Sequence, residues 1–278
     1  MNFSWFPGHM KKTIRKLSQE QKIASMAIMV LDARCPRSSR NPELEKLFTN
    51  KPCLYILNKA DLASQKITDS WLKYFREQKM EAMATSCKTG RGKKTIITKI
   101  HEIKKMIQAS SKSRRFKTNF RIVVLGIPNS GKSSLINMLS PHKTVRTGKK
   151  PGLTRGKQWL KIQEGIEVLD SPGVMLPRMD LPETPWILGV IAAIKQEVLP
   201  VEQVAIKFIE YLRKNNLIPN HLIKEDIPED PLEVLTRFSV ERGYLVKGGD
   251  VEMRKGALQL LKIFREGKLG RISLEKPG

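Results

Sequence analysis

Gly126-Ile127-Pro128-Asn129-Ser130-Gly131-Lys132-Ser133 places a glycine, four residues, then Gly-Lys-Ser, and this is the P-loop spacing. An apolar run, Ile122-Val123-Val124-Leu125, precedes it, and Ser134-Leu135-Ile136-Asn137-Met138-Leu139 follows with helical character. Strand, glycine-bounded loop and helix together form an anion cradle. Glycines let the backbone wrap phosphate oxygens, and the inward amides and the helix N-terminus add partial positive charge. Ser130, Gly131, Lys132, Ser133 and Ser134 are the candidate phosphate contacts. Lys132 would reach the β- and γ-phosphates, and Ser133 would hold Mg²⁺. By itself the motif specifies a nucleoside triphosphate, not which base.

The base is named earlier in the chain. Leu54-Tyr55-Ile56-Leu57 reads as a buried strand and delivers Asn58-Lys59-Ala60-Asp61, the pattern Asn-Lys-x-Asp. The Asp61 carboxylate can accept both the N1–H and the exocyclic amine of guanine, whereas adenine offers no matching donors and would leave it unpaired. Asn58 and Lys59 would brace the loop and cover the base. Downstream, Ser86-Cys87-Lys88 matches the loop whose backbone amide meets guanine O6, with Cys87 at a position where alanine is usual; an ordinary strand-to-helix loop is the alternative. Asp170-Ser171-Pro172-Gly173 is an Asp-x-x-Gly motif, with Asp170 in the Mg²⁺ shell and the Gly173 amide sensing the γ-phosphate. The basic stretch Pro141 to Lys157 reads as a nucleotide-dependent switch, with Thr154 as a further Mg²⁺ ligand. Val174 follows Gly173 where many GTPases carry a water-orienting glutamine, so hydrolysis needs a partner or another polar residue.

The elements that must position these residues are legible in outline. Met26 to Leu31 is a continuous apolar run of the kind found in parallel strands, ending in Asp32-Ala33-Arg34. The stretch 34–41 reads as a basic polar loop, and Pro42 opens a short helix through Phe48. A helix is expected from Ser70 to Gln78, a strand from Glu81 to Thr85, a helix to about Met106, and a basic connector from Ser110 to Lys117. Trp5-Phe6-Pro7-Gly8 reads as a tethered turn before a basic helix. Trp159 to Ile162 and Ile166 to Leu169 read as a hairpin around Glu164-Gly165. From Trp186 onward the pattern is helical, with stripes at Val201, Val204, Ala205, Phe208, Ile209 and Leu212 and at Ala257, Leu260, Leu261 and Phe264.

Bulk composition narrows the class. The chain has 278 residues, 40% of them hydrophobic, so it can bury a real core in one large or two modest domains. No apolar run reaches membrane-spanning length, and Met1-Asn2-Phe3-Ser4 does not open a signal peptide. Cys35, Cys53 and Cys87 have no disulfide or metal spacing, and a reduced cytosol is expected. Lys and Arg number 51 against 27 Asp and Glu, a net charge of +24, which points to a polyanionic partner. Lys247, Arg254, Lys255, Lys262, Arg265, Lys268 and Arg271 crowd the C-terminal helices as a candidate RNA face or a solvated one.

The motif order is unusual, because the guanine motifs precede the phosphate motifs. The expected fold class is α/β: a circularly permuted Ras-like P-loop GTPase domain over residues 1–178, and a smaller helical domain over 179–278 for RNA or ribosome binding. The permuted order, together with Trp5-Phe6-Pro7-Gly8-His9-Met10, Asp32-Ala33-Arg34, Ser38-Ser39-Arg40-Asn41-Pro42, Gly126-Ile127-Pro128-Asn129, Ile227-Pro228-Glu229-Asp230 and Gly270-Arg271-Ile272-Ser273, resembles the bacterial YlqF/RbgA family of ribosome biogenesis GTPases end to end. The resemblance implies a cytoplasmic GTPase; no membrane association is expected, and the protein is expected to be a monomer. It would bind the precursor of the large ribosomal subunit through rRNA and ribosomal proteins, hydrolyse GTP to GDP as a late assembly checkpoint, and be stimulated by the particle. It gives His9 a part in placing the attacking water, and Asn129 a part in holding K⁺. A scaffold in which GTP only sets conformation is the rival reading. A metabolic ATP-dependent kinase conflicts with Asn58-Lys59-Ala60-Asp61.

Overall fold

The computed structural model describes residues 7–110, 119–141, 159–175, 181–224 and 226–278, with the side chains of 7–12 and 110 excepted. The chain divides into two compact units, Asn2–Arg178 with Glu275–Gly278, and Met179–Leu274.

The first unit is built on a six-stranded sheet ordered β3-β2-β1-β4-β6-β5, from β1 (Met26–Asp32), β2 (Cys53–Asn58), β3 (Glu81–Ala84), β4 (Phe120–Leu125), β5 (Trp159–Gln163) and β6 (Ile166–Asp170). All neighbours run parallel except the β5–β6 hairpin. The uninterrupted apolar runs follow from burial of both sheet faces. Alternate residues of β1 go to opposite sides. Ala27, Met29 and Leu31 meet Leu17, Leu44, Phe48, Trp71 and Phe75, from α1 (Pro7–Ile23), α3 (Pro42–Leu47) with the residue after it, and α4 (Gln65–Glu77). Met26, Ile28 and Val30 meet Ile96, Ile100, Leu135 and Leu139, from α5 (Lys93–Ser110) and α6 (Lys132–Leu139). The permutation leaves this sheet intact: the P-loop strand β4 sits between β1 and β6, and the carboxyl ends of β2, β4 and β6 carry the three motifs. Ligands bind at such strand ends in open α/β sheets.

Three local expectations are corrected. The stretch 34–41 is not simply a loop, because Pro36–Ser39 forms a short buried helix, α2, with Pro36 in its first turn. The helix expected from Ser70 begins at Gln65, because Thr68 extends the buried stripe of Trp71 and Phe75 by one more turn. Helix α1 starts at Pro7, where a turn was expected; a first-turn proline gives up only an amide that has no helical partner anyway. The connector 111–118 and the loop 142–158 lie outside the described residues.

The second unit is helical: α7 (Thr184–Val190), α8 (Val201–Lys214), α9 (Pro231–Glu241) and α10 (Met253–Arg265). The expected stripes of α8 and α10 are its core, with the Phe208 and Phe264 rings 4.8 Å apart. Asp230 caps α9, its carboxylate accepting the Leu232 amide at 3.0 Å. Arg265 departs from the expected basic face. Its guanidinium donates to the carbonyls of Val190 (2.6 Å) and Gly189 (2.9 Å) at the end of α7, so its charge is spent on a helix C-terminus. Lys247, Arg254, Lys262 and Arg271 are exposed.

Gly256 lets α10 approach α9: a Cβ there would lie 1.8 Å from Ser239 Oγ and 2.9 Å from Ser239 Cβ. Gly256→Ala is expected to destabilise the helical unit by about 1–3 kcal/mol despite alanine's better helix propensity. Adding Ser239→Gly should recover part of the loss. Thermal melts of the single and double variants check this; an unshifted single variant contradicts it.

Candidate active site

The P-loop backbone is shaped by positions that a side chain would spoil. Gly126 has φ +150, and a Cβ on it would meet the Val30 carbonyl at 2.5 Å; Gly131 has φ +99, and a Cβ would fall 2.1 Å from Asn58 Nδ2. Asn129 adopts the left-handed region at φ 59, which asparagine tolerates better than most residues. Gly131 leads directly into α6. Ser133 and Ser134 are half-buried in the first turn.

Lys132 is buried, and its Nζ donates to the Ile127 carbonyl within its own loop at 2.8 Å. Burial lowers its pKa to about 8; Asp170 works against that shift and Lys59 adds to it. Ser133 Oγ donates to Asp170 Oδ2 at 2.7 Å. A hydroxyl and a carboxylate oxygen beside a phosphate cradle are hard donors suited to Mg²⁺, which commonly takes only one or two protein ligands and fills its shell with phosphate and water. The donor set therefore fits the ion. Thr154, the third expected ligand, lies outside the described residues.

The segment after β6 is closed onto the P-loop. Ser171 Oγ donates to the Val124 carbonyl at 2.5 Å, and the Val174 amide donates to the Gly126 carbonyl at 3.2 Å. A Cβ on Gly173 would sit 2.7 Å from Pro128 Cα and N, so glycine alone permits this approach. Val174 is 2% exposed and belongs to the apolar core. Its carbonyl accepts from Asn41 Nδ2 at 3.1 Å and that of Met175 at 3.3 Å, while Asn41 Oδ1 caps α3 through the amides of Glu43 and Leu44. Sequence reasoning missed Asn41 as a clamp. Asn-Pro before a helical run is the signal that marks the cap, but nothing marks its second partner.

The guanine motif is bound to the same loop. Asn58 Nδ2 donates to the Ser130 carbonyl at 2.9 Å, and its Oδ1 accepts the Cys87 amide at 3.1 Å. Asn58 thus joins the P-loop to the Ser86-Cys87-Lys88 loop, where Ser86 is buried and its Oγ accepts the Thr89 amide at 3.3 Å. Lys59 (φ 63) donates to the Asn129 carbonyl at 2.6 Å and to Asp32 Oδ2 at 2.8 Å. Asp61 stands half-buried beyond them.

Asp32 anchors Lys59, and the sequence reading assigned it no task. It is fully buried, and Arg34 grips it through Nε (2.9 Å) and Nη2 (2.8 Å) as well as through its amide (3.1 Å). Burial alone would raise the Asp32 carboxyl, but Arg34 and Lys59 outweigh it and hold it well below the usual carboxylate range. The structure thus brings together Asn58, Lys59, Asn129, Ser130, Gly131, Lys132, Ser133, Asp170 and Gly173. The side chain of His9 lies outside the described residues.

A family model described as 50S ribosome-binding GTPase matches residues 121–227. The guanine motifs precede that match, as the permuted order requires. The chain is 34% identical to Ribosome biogenesis GTPase A of Priestia megaterium, covering 100% of this chain and 98% of that protein. It is 36% identical to the protein of the same name from Bacillus pumilus, covering 100% and 99%. Among solved structures, it is similar to GNP-bound YlqF from Thermotoga maritima, with a TM-score of 0.71 at 23% identity over 96% of this chain and 98% of that one. A GDP-bound YlqF gives 0.70 at 24% identity over 95% and 99%. These structures establish the fold, that of a circularly permuted GTPase.

The lowered Lys132 pKa gives a pH dependence with a definite sign. In the free protein the ammonium loses its proton as pH rises through about 8, whereas bound phosphate favours the charged form. Binding of GDP should therefore take up a proton just above that pH, and affinity should fall as pH rises. Calorimetry in two buffers of different ionisation enthalpy measures the uptake; none at all would contradict the assignment.

Proposed function

The chain belongs to the ribosome biogenesis GTPase A family, and from that premise we propose how its residues divide the work. It is a GTPase acting in assembly of the large ribosomal subunit. One observation carries the site-level reading: Asn58 and Lys59 are hydrogen-bonded to the backbone of Ser130 and Asn129, so base reading and phosphate binding share one rigid unit although they come from distant parts of the chain.

In this reading Asp61 accepts the two donors of guanine, and Asn58 and Lys59 hold the loop that presents it. The amides of Asn129, Ser130, Gly131, Lys132, Ser133 and Ser134 cradle the phosphates. Lys132 turns from the Ile127 carbonyl to the phosphate oxygens, exchanging a neutral partner for a charged one. Ser133, Asp170 and Thr154 hold Mg²⁺, which supplies charge stabilisation at the phosphates. The Gly173 amide meets the γ-phosphate. Val174, buried among apolar side chains, has no group with which to orient water. His9 takes that part once the large-subunit precursor is bound, and K⁺ held by Asn129 adds positive charge beside the phosphates. The protein acts as a cytoplasmic monomer that engages rRNA and ribosomal proteins late in assembly, with GTP hydrolysis as the checkpoint. The exposed Lys247, Arg254, Lys262 and Arg271 supply the polyanion-binding surface.

GTP turnover should rise strongly with purified large-subunit precursors and be faster in KCl than in NaCl. His9→Ala should remove on the order of 10²-fold or more of the stimulated rate while leaving GTP binding unchanged. A particle that binds in a nucleotide-dependent way without stimulating turnover would favour the scaffold reading, which the burial of Val174 also motivates. Asp61→Asn should weaken GTP binding by roughly 10- to 100-fold and move preference toward xanthosine triphosphate; competition binding with the two nucleotides reads this, and an unchanged GTP affinity would sink the base-reading assignment.

A further inference from the structure

The first unit is made of two stretches, and the second is only Glu275–Gly278. This short segment is fastened at several points. The Glu275 carboxylate accepts the amides of Arg37 (2.8 Å) and Ser38 (3.0 Å) and also the Ser38 hydroxyl. The Glu275 carbonyl accepts from Trp71 Nε1 at 3.3 Å, and the Lys276 carbonyl accepts from Arg37 Nη2 at 3.3 Å. The Arg37 guanidinium lies over the Trp71 ring, 5.7 Å from its centre, and Trp71 is itself core. Burial raises the Glu275 carboxyl, and the donors from Ser38 and Arg37 pull it back. An acid held in this way is a specific attachment, unlike a charge left in water.

What it is attached to gives the contact its meaning. Helix α2 and the two residues after it reach the nucleotide site by two routes. Ser39, next to Ser38, accepts the Asp32 amide at 3.0 Å and donates to the Cys35 carbonyl at 2.7 Å. Asp32 in turn holds Lys59, and Lys59 holds the Asn129 carbonyl. By the second route, Asn41 holds the carbonyls of Val174 and Met175 just after Gly173. One rigid turn thus carries the tail on one residue, the guanine motif on the next, and the exit of the phosphate-sensing segment two residues later. The tail is covalently continuous with Leu274, where the helical unit ends.

We propose that segment 275–278 is a strap that sets guanine-nucleotide affinity, with Glu275 a positioning residue acting through Ser38, Ser39 and Asp32 on Lys59. This rests on the guanine-nucleotide reading of the site. A load on the helical unit would reach the nucleotide through the strap as well as through the chain that follows Gly173. Coupling of this kind must be reciprocal: if the strap stabilises the nucleotide-binding arrangement, bound nucleotide must stabilise the strap by the same factor.

The test uses the full chain and fluorescent GDP. Glu275→Ala should raise the GDP dissociation rate by about tenfold, within the range usual for coupled sites. Glu275→Gln, which keeps one acceptor, should fall between wild type and alanine. In the wild-type protein, GDP should slow hydrogen exchange at the Arg37 and Ser38 amides. A Glu275→Ala protein that melts earlier but releases GDP at the wild-type rate would make the segment a plain anchor and overturn the proposal. If that variant does not fold, the wild-type exchange measurement decides: unchanged exchange at Arg37 and Ser38 on GDP binding overturns it. Failure of the underlying site reading would appear separately, as intact wild-type protein that binds GDP no better than ADP.

Discussion

The nucleotide site depends on one buried carboxylate. Asp32 lies at the carboxyl end of β1 with no exposed surface, flanked by Arg34 and Lys59 at 2.8 Å. Removing two or three charges from water costs several kcal/mol each, and the cost is recovered only when geometry and hydrogen bonding are nearly complete. Here they are, because Arg34 makes a fork to both carboxylate oxygens and Lys59 takes a second bond on one of them. A group so placed is a poor source of net stability and a good source of uniqueness. Withdrawing it would leave Arg34 buried without its counter-charge, a loss of about 3–5 kcal/mol in comparable cases. The benefit is positional. The Lys59 ammonium donates both to Asp32 and to the Asn129 carbonyl of the P-loop, so Asp32 fixes a group that ties the loop after β2 to the phosphate loop.

That constraint also explains how a permuted chain retains a single site. In a parallel sheet the functional loops all emerge at the same edge, and the order in which the chain visits the strands does not change which strands are neighbours. β1 stands between β2, which carries Asn58, and β4, which leads into Gly126. Asp32 pairs with Asn58 in the β1–β2 register, which sets it beside Lys59, whose ammonium also reaches the loop after β4. Permutation changes the exits instead. The chain leaves this unit shortly after Gly173 and re-enters at Glu275, so both junctions join the segment around α2, one through Asn41 and the other through Ser38.

The phosphate and guanine motifs were legible in the sequence because they combine backbone demands with side-chain chemistry. Gly126 and Gly131 stand where a Cβ would collide, and Asn58-Lys59-Ala60-Asp61 matches a base-reading pattern; both requirements survive in a one-dimensional string. The central strands were legible for a related reason, since burial on two faces leaves apolar runs such as Met26 to Leu31 and Ile122 to Leu125. What could not be read was tertiary pairing between groups that look ordinary alone. Asp32-Ala33-Arg34 served only as a family signature, because nothing in three residues reveals that the acid bridges to Lys59. Ser38 and Asn41 read as polar loop residues, and their partners lie far away at Glu275 and Val174. Arg265 was counted with a basic face because its composition matches its neighbours, while its guanidinium satisfies helix-end carbonyls. Thr154 and the His9 side chain fall outside the described residues.

The burial of Val174 bears on the proposal that hydrolysis is completed by a partner. A water-orienting residue must be polar and must face the γ-phosphate. At 2% exposure among Leu31, Leu125 and Leu169, Val174 meets neither condition, and its backbone is already committed to Gly126 and Asn41. Rotating it outward would expose apolar surface and break two backbone hydrogen bonds, at about 1 kcal/mol for each bond plus roughly 1.5–3 kcal/mol for the side chain. The cheaper route is to leave the segment closed and bring a polar group from elsewhere. In the proposed function that group is His9, upstream of the first strand. Under the proposed function, a site that holds the nucleotide but takes its water-orienting group from elsewhere would make hydrolysis depend on the arrival of a partner.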